Sequence, residues 1–203
     1  MKTIIIDYGL GNLRSIEKAL QYVGAEAEIS NDPSSIDRAD ALILPGVGAF
    51  RDAMMHFSTL TRVVKDAVND GKPLLGICLG MQMLASESEE GGVHGGIDLI
   101  PGRVVRFPRS ELKVPHMGWN SLIIRKDIPL LKGIKDGSFV YFVHSYYVST
   151  DEKNAVALCD YGLDFPAVIT NVAGNVLGTQ FHPEKSGSIG LKLLKNFVES
   201  YGP

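Results

Sequence analysis

Along the first half of the chain, apolar positions alternate between short unbroken runs and helical stripes. Residues Lys2–Ile6 form such a run and read as a buried strand. Asp7 ends it and no small-residue cleavage site follows, so the segment does not read as a leader. Over Leu13–Val23 the spacing of Ile16, Ala19, Leu20 and Val23 predicts a helix, with Asn12 as its N-cap and Gly24 at its end. Ala25–Ile29 predicts a second strand, Asp32-Pro33 opens a short helix, and Ala41–Leu44 is a third strand closed by Pro45-Gly46. Leu60, Val63, Val64, Ala67 and Val68 stripe another helix, Gly71 follows it, and Pro73–Ile77 is the fourth strand. This β-α-β-α-β-α-β order predicts a three-layer, flavodoxin-like α/β fold: an open, mostly parallel sheet with helices on both faces.

The second half is richer in strands. Candidates are Arg103–Phe107, Ser121–Ile124, Phe139–Val143, Ala155–Leu158, Ala167–Thr170 and Val176–Gln180. Turn signals at Lys135-Asp136-Gly137 and Ala173-Gly174-Asn175 separate them, which predicts an extra small antiparallel region. Leu193, Leu194, Phe197 and Val198 mark one side of a last helix over Ile189–Glu199. With no repeat or linker, a single domain over residues 1–203 is expected.

Composition narrows the functional classes. Lys+Arg 20 against Asp+Glu 23 leaves a net charge of −3, so no basic excess points to nucleic acid or a membrane surface. The uncharged, apolar run Pro73 to Ser86 contains Pro73, Gly76 and Gly80 and falls short of the ~18 apolar residues of a membrane span. Two cysteines, Cys78 and Cys159, make neither a disulfide framework nor a four-thiolate zinc site. A cytoplasmic protein with reduced thiols is expected. A chain of 203 residues also has no room for a catalytic domain of this size plus a (βα)8-barrel of about 250 residues.

The chemistry concentrates at Gly76-Ile77-Cys78-Leu79-Gly80-Met81-Gln82. A buried strand runs into Gly-x-Cys-x-Gly and a helix begins at once, the context of a nucleophile elbow with cysteine as the nucleophile. The flanking glycines suit a tight turn with close backbone approach, and the helix N-terminus favours the thiolate. Such a cysteine needs a base, and the base an orienter. His182-Pro183-Glu184 follows the strand Val176–Gln180, so His182 leaves the same sheet edge as Cys78, with Glu184 placed to hold its tautomer. Pro45-Gly46-Val47-Gly48-Ala49 follows the third strand and fits an oxyanion hole of the Val47 and Leu79 N–H groups; an ordinary strand-to-helix turn is the alternative.

Other features carry less. Gly9-x-Gly11 lacks the third glycine of a dinucleotide fingerprint, because Arg14 occupies that position. Cys159 reads as an inert buried thiol, and His56 and His94 stand in no partner pattern. Glu87, Glu89 and Glu90 read as a solvated helix end, with one of them able to touch a charged substrate. Trp119 in Pro115-His116-Met117-Gly118-Trp119-Asn120 reads as a loop residue at a contact surface.

With Cys78, His182 and Glu184 in that order, the chain resembles the class I (triad) glutamine amidotransferases, whose signatures are Gly-x-Cys-x-Gly-x-Gln and His-Pro-Glu. Over nearly its full length it is similar to one family within them, the glutaminases of imidazole glycerol phosphate synthases. The similarity is carried by Asp7–Ser15, Leu44–Phe50, Pro115–Asn120, Tyr141–Tyr146 and Gln180–Ser186. That resemblance implies Cys78 as nucleophile toward L-glutamine, His182 as base and acid, Glu184 as orienter, and Val47 and Leu79 at the oxyanion. Gly46, Gly48, Gln82, Ser145 and Tyr146 would hold glutamine. Ammonia would pass to a separate cyclase subunit, a (βα)8-barrel in a heterodimer, with Asn12, Arg14, Trp119 and Lys185 on the partner face. No metal or organic cofactor is implied. Glycine at 46 would let the Gly46–Val47 peptide reorient when the partner binds. Open beside this reading stand the triad glutaminases of pyridoxal phosphate, anthranilate or aminodeoxychorismate synthesis, a partner-independent cysteine hydrolase, and a non-catalytic interaction protein.

Overall fold

The computed structural model describes residues 1–108 and 112–202. In chain order its elements are β1 (Lys2–Ile6), α1 (Leu13–Tyr22), β2 (Glu26–Ser30), α2 (Pro33–Asp37), β3 (Ala41–Leu44), α3 (Phe50–Phe57), α4 (Thr61–Asn69), β4 (Leu74–Ile77) and α5 (Leu79–Met83). Then follow β5 (Glu87–Ser88), β6 (His94–Gly95), β7 (Arg103–Arg106), β8 (His116–Ser121), β9 (Ile123–Ile124), β10 (Phe139–His144) and β11 (Tyr146–Ser149). The chain ends with β12 (Ala155–Asp160), β13 (Asp164–Thr170), β14 (Val176–Thr179) and α6 (Gly187–Ser200). No helix among the described residues is long and apolar enough to cross a membrane.

The main sheet runs β2-β1-β3-β4-β14-β13-β12-β9. It is parallel from β2 to β14 and antiparallel beyond. The expected antiparallel region is itself divided: β8 and β10 form a separate ribbon, and β11-β7-β5-β6 a third sheet.

Period-2 alternation explains why the parallel strands read as continuous apolar runs, because both faces are covered. Ile5, Ile43, Leu75 and Leu177 pack on one face beneath Ile16 and Leu20 of α1 and Leu193, Leu194 and Phe197 of α6. Ile4, Ile6, Leu42, Leu44, Leu74 and Val176 pack on the other, beneath residues of α2 to α5 that include Ile36, Phe50, Phe57 and Val64. Register then aligns three carboxyl ends. Leu44 pairs with Gly76, Gly76 with Gly178, and Ile77 with Thr179. Pro45, Cys78 and Gln180 are therefore the next residues out of three neighbouring strands.

Several expectations change. Residues 50–57 carried no assignment, yet Phe50, Ala53 and Phe57 are the buried side of α3. Trp119 lies in β8, paired with Tyr141 of β10, rather than in a loop; the pairing partner is distant in sequence and Gly118 disguises the strand. Glu87 lies in β5, so the carboxylates at 87, 89 and 90 are no helix end, α5 having stopped at Met83. Asn12 stands at the N-cap position of α1 without making a side-chain cap bond, because its amide is turned elsewhere. Asp32 does cap α2, accepting from Ser34 and Ser35 N–H.

Phe197 is fully buried between α6 and the sheet. Phe197→Ala is expected to lower unfolding stability by about 3–5 kcal/mol in urea titrations, through loss of transfer energy and the cavity left behind.

Candidate active site

Cys78 sits between β4 and α5 with φ 54° and ψ −108°, a conformation that L side chains rarely adopt. Its amide donates to the Thr179 carbonyl at 2.7 Å, which ties the elbow to β14. The glycines around it answer to space. A Cβ on Gly80 would overlap the Leu44 carbonyl, and one on Gly76 would come within 2.8 Å of Gly80 backbone atoms. Gly46 is likewise a packing glycine: an added Cβ would lie 2.6 Å from Gly80 N and 2.9 Å from the Tyr8 hydroxyl. Gly46 is not among the residues that line the pocket, and the positive φ of this segment falls at Gly48, +98°. Tyr8 donates to the Pro45 carbonyl at 2.7 Å and anchors that segment.

His182 follows β14 and opens a 3-10 turn over Pro183–Lys185. Its Nδ1 donates to Glu184 Oε1 at 2.8 Å, both side chains being buried. That bond leaves Nε2 for the thiol. Burial disfavours the imidazolium, but the Cys78 and Glu184 side chains outweigh it and raise the His182 pKa to about 9. Glu184 Oε1 also accepts from Asn12 Nδ2 at 3.4 Å, while Oε2 is buried with no partner among the described residues.

A pocket of ≈ 380 Å³ opens in front of this group. Val47, Gly48, Leu79, Gln82, Ser145 and Tyr146 line it together with Cys78 and His182, so most residues expected to bind substrate are brought together. Glu90 joins them. It is fixed by Phe50 N–H, which donates to Oε2 at 2.9 Å. The fold brings this carboxylate to the pocket from an expected helix end. Gln82 Nε2 donates to the Tyr146 carbonyl at 2.8 Å and to Gln180 Oε1 at 3.1 Å. With both amide hydrogens engaged, its own oxygen is the group left for a ligand.

Sequence reasoning passed over two histidines beside the pocket. His144 Nδ1 lies 2.8 Å from the Tyr146 carbonyl and must donate, so Nε2 accepts from His116 Nδ1 at 3.1 Å. Burial holds both neutral, lowering His144 to about 3 and His116 to about 4. Cys159 is fully buried, its thiol pushed up to about 12 by burial and by Asp160 and Asp164.

The four residues expected on a partner face separate. Trp119 is 56% exposed and meets Tyr141 edge-on, and Lys185 Nζ lies 6.0 Å from the centroid of the same Tyr141 ring. Asn12 is half-buried on Glu184, and Arg14 is exposed in an ion pair with Glu17 of its own helix.

A cysteine elbow, a histidine–glutamate pair and a polar pocket at the carboxyl edge of this sheet coincide with the family match: residues 4–200 fit glutamine amidotransferase class-I, and the chain belongs to that family. Solved structures agree in fold. A glutamine amidotransferase superposes with TM-score 0.75 at 21% identity over 97% of each chain. PurLQS from Thermotoga maritima gives 0.73 at 21% identity, also over 97% of each. Sequence relatives narrow the family to the HisH subunits of imidazole glycerol phosphate synthase. The chain is 64% identical to the HisH subunit of Methanosarcina acetivorans over 98% of both chains. It is 53% identical to that of Archaeoglobus fulgidus over 96% of both.

Because the folded His182 pKa exceeds the ordinary 6.5, its charged form stabilises the fold fully below pH 6.5, and this contribution is lost as pH rises through about 9. Proton NMR should find an imidazole titrating near 9 that moves down in Cys78→Ala; titration near 6.5 in the unsubstituted protein would contradict the assignment.

Proposed function

We propose that this chain is the glutaminase subunit of an imidazole glycerol phosphate synthase, with Cys78, His182 and Glu184 as its catalytic triad. The observation that carries the reading is the buried His182–Glu184 bond behind the Cys78 elbow, with Cys78 and His182 both lining one pocket. L-Glutamine enters with its side-chain amide at Cys78. Glu90 takes the α-ammonium, and the Gln82 oxygen, Ser145 and Tyr146 complete its seat. With the proton held on His182, Cys78 is a thiolate, which attacks the amide carbon. The Val47 and Leu79 N–H groups receive the oxyanion. His182 returns the proton to the departing nitrogen, the C–N bond breaks, and ammonia leaves a γ-glutamyl thioester. Water, deprotonated by His182, cleaves the thioester to glutamate and restores the thiol. Glu184 keeps the imidazole oriented and balances its charge in both halves.

The partner is the cyclase subunit, a (βα)8-barrel, in a cytoplasmic heterodimer without metal or organic cofactor. There ammonia meets the phosphoribulosyl formimino aminoimidazole carboxamide intermediate of histidine biosynthesis. Imidazole glycerol phosphate and aminoimidazole carboxamide ribotide are the products. The docking face is the β8–β10 ribbon. Met117, Trp119 and Phe139 expose large apolar side chains there, and Val143 of the same ribbon lines the pocket. Lys185 lies at its edge, over Tyr141.

The test combines the chain with the cyclase, its nucleotide substrate and either nitrogen source. Cys78→Ala should lower glutamine-dependent turnover at least ~10³-fold and leave ammonia-dependent turnover intact. Equal loss of both would overturn the division of labour. Glu90→Gln should raise the KM for glutamine about 10-fold or more with little change in kcat, since a charged hydrogen bond to the substrate is lost in ground and transition states alike. An unchanged KM would remove Glu90 from the seat.

A further inference from the structure

We infer that Gln180 is a positioning residue of the glutaminase reaction, holding the nucleophilic sulfur with one end of its carboxamide and the substrate-binding Gln82 with the other. The inference rests on the triad reading above.

Gln180 follows β14 as Cys78 follows β4, and Gln82 lies one helical turn beyond Cys78, so register brings the three together. Gln180 is 0% exposed, so its carboxamide has no bulk water to bond. Its neighbours along the chain are fully buried Thr179 and Phe181, and a carboxamide in such a place is unfavourable unless both ends are bonded. Both are. Oε1 accepts from Gln82 Nε2 at 3.1 Å, which assigns the amide orientation. Nε2 is then the donor, and Cys78 Sγ lies 3.8 Å from it, within reach of a sulfur hydrogen bond.

The sulfur stands between opposite polarities. The Val143 carbonyl, also 3.8 Å away, suits the S–H form as acceptor. Once the proton has moved to His182, that carbonyl loses its donor and repels the thiolate, whereas the Gln180 N–H gains strength as a charge-assisted donor. Gln180 therefore favours the attacking form and orients it. Through Oε1 it also keeps both Gln82 hydrogens engaged, so that the Gln82 oxygen faces the ligand.

Two substitutions separate the ends. Gln180→Glu keeps size and an acceptor for Gln82 but removes the donor to sulfur. It should lower kcat about tenfold or more, slow iodoacetamide alkylation of Cys78 at pH 7 several-fold, and leave KM within about threefold. Gln180→Met removes both bonds and should lower kcat and raise KM together. Wild-type kcat and alkylation rates in both folded variants would overturn the inference. If either variant fails to fold, the unsubstituted protein decides. The Gln180 side-chain ¹⁵N–¹H resonances should shift on alkylation of Cys78, and resonances that stay in place would overturn it. Cys78→Ala distinguishes the two levels. Retained glutaminase activity there would sink the triad reading itself, whereas its loss beside unaffected Gln180 variants would sink only the role of Gln180.

Discussion

The hydrogen bond from Cys78 N–H to the Thr179 carbonyl is the constraint on which the site depends. It is the last rung between two parallel strands, and it forces Cys78 into positive φ at the level where β14 delivers Gln180 and then His182. A parallel ladder places successive residues of neighbouring strands at fixed offsets. One rung therefore brings Cys78, Gln180 and His182 together. The elbow can turn this tightly because α5 presses onto the end of β3 at Gly80, where no side chain fits. Strain at Cys78 is thus held by packing on both sides.

Behind the sulfur the polar groups form directed chains. Asn120 Nδ2 reaches His116 Nε2, His116 reaches His144, and His144 donates to the Tyr146 carbonyl. Gln82 donates to that same carbonyl and to Gln180. Valence orients the members, since the Tyr146 carbonyl at which both chains meet can only accept. Buried networks of this kind are favourable only when each member is paired. The two histidines meet that condition by remaining neutral, while His182 meets it as a cation between Cys78 and Glu184. Three imidazoles in one region thus carry different charges for reasons of partner and burial.

The β8–β10 ribbon joins this interior to the surface. On its outer face Trp119 and Tyr141 meet edge-on; toward the interior His116 and His144 touch. Its backbone also holds the base: His182 N–H donates to the Tyr141 carbonyl, and Ser186 bridges Tyr141 N–H and the His182 carbonyl. A subunit seated on the ribbon would press on the strand whose Tyr141 holds the His182 backbone, a short physical route from that face to the pocket.

The sequence by itself determined the parallel half of the sheet, because runs such as Ala41–Leu44 are buried on both faces and leave an unbroken apolar signature. It also marked the elbow and the His182–Glu184 pair, since their chemistry is written in contiguous residues. It missed α3, whose stripe is short, and took β8 for a loop, because that strand exists through pairing with residues some twenty positions away. Glu90 was legible only as one of three carboxylates able to touch a charged substrate, Tyr8, His144 and Gln180 only as members of longer motifs, and the packing demand for glycine at 46 not at all. Each depends on what stands opposite: Phe50 N–H for Glu90, Pro45 for Tyr8, Cys78 and Gln82 for Gln180, Gly80 for Gly46. Local pattern reports which face of an element is buried. Only the tertiary structure decides which donor meets which acceptor, because those partners are brought together by register and packing across long stretches of chain.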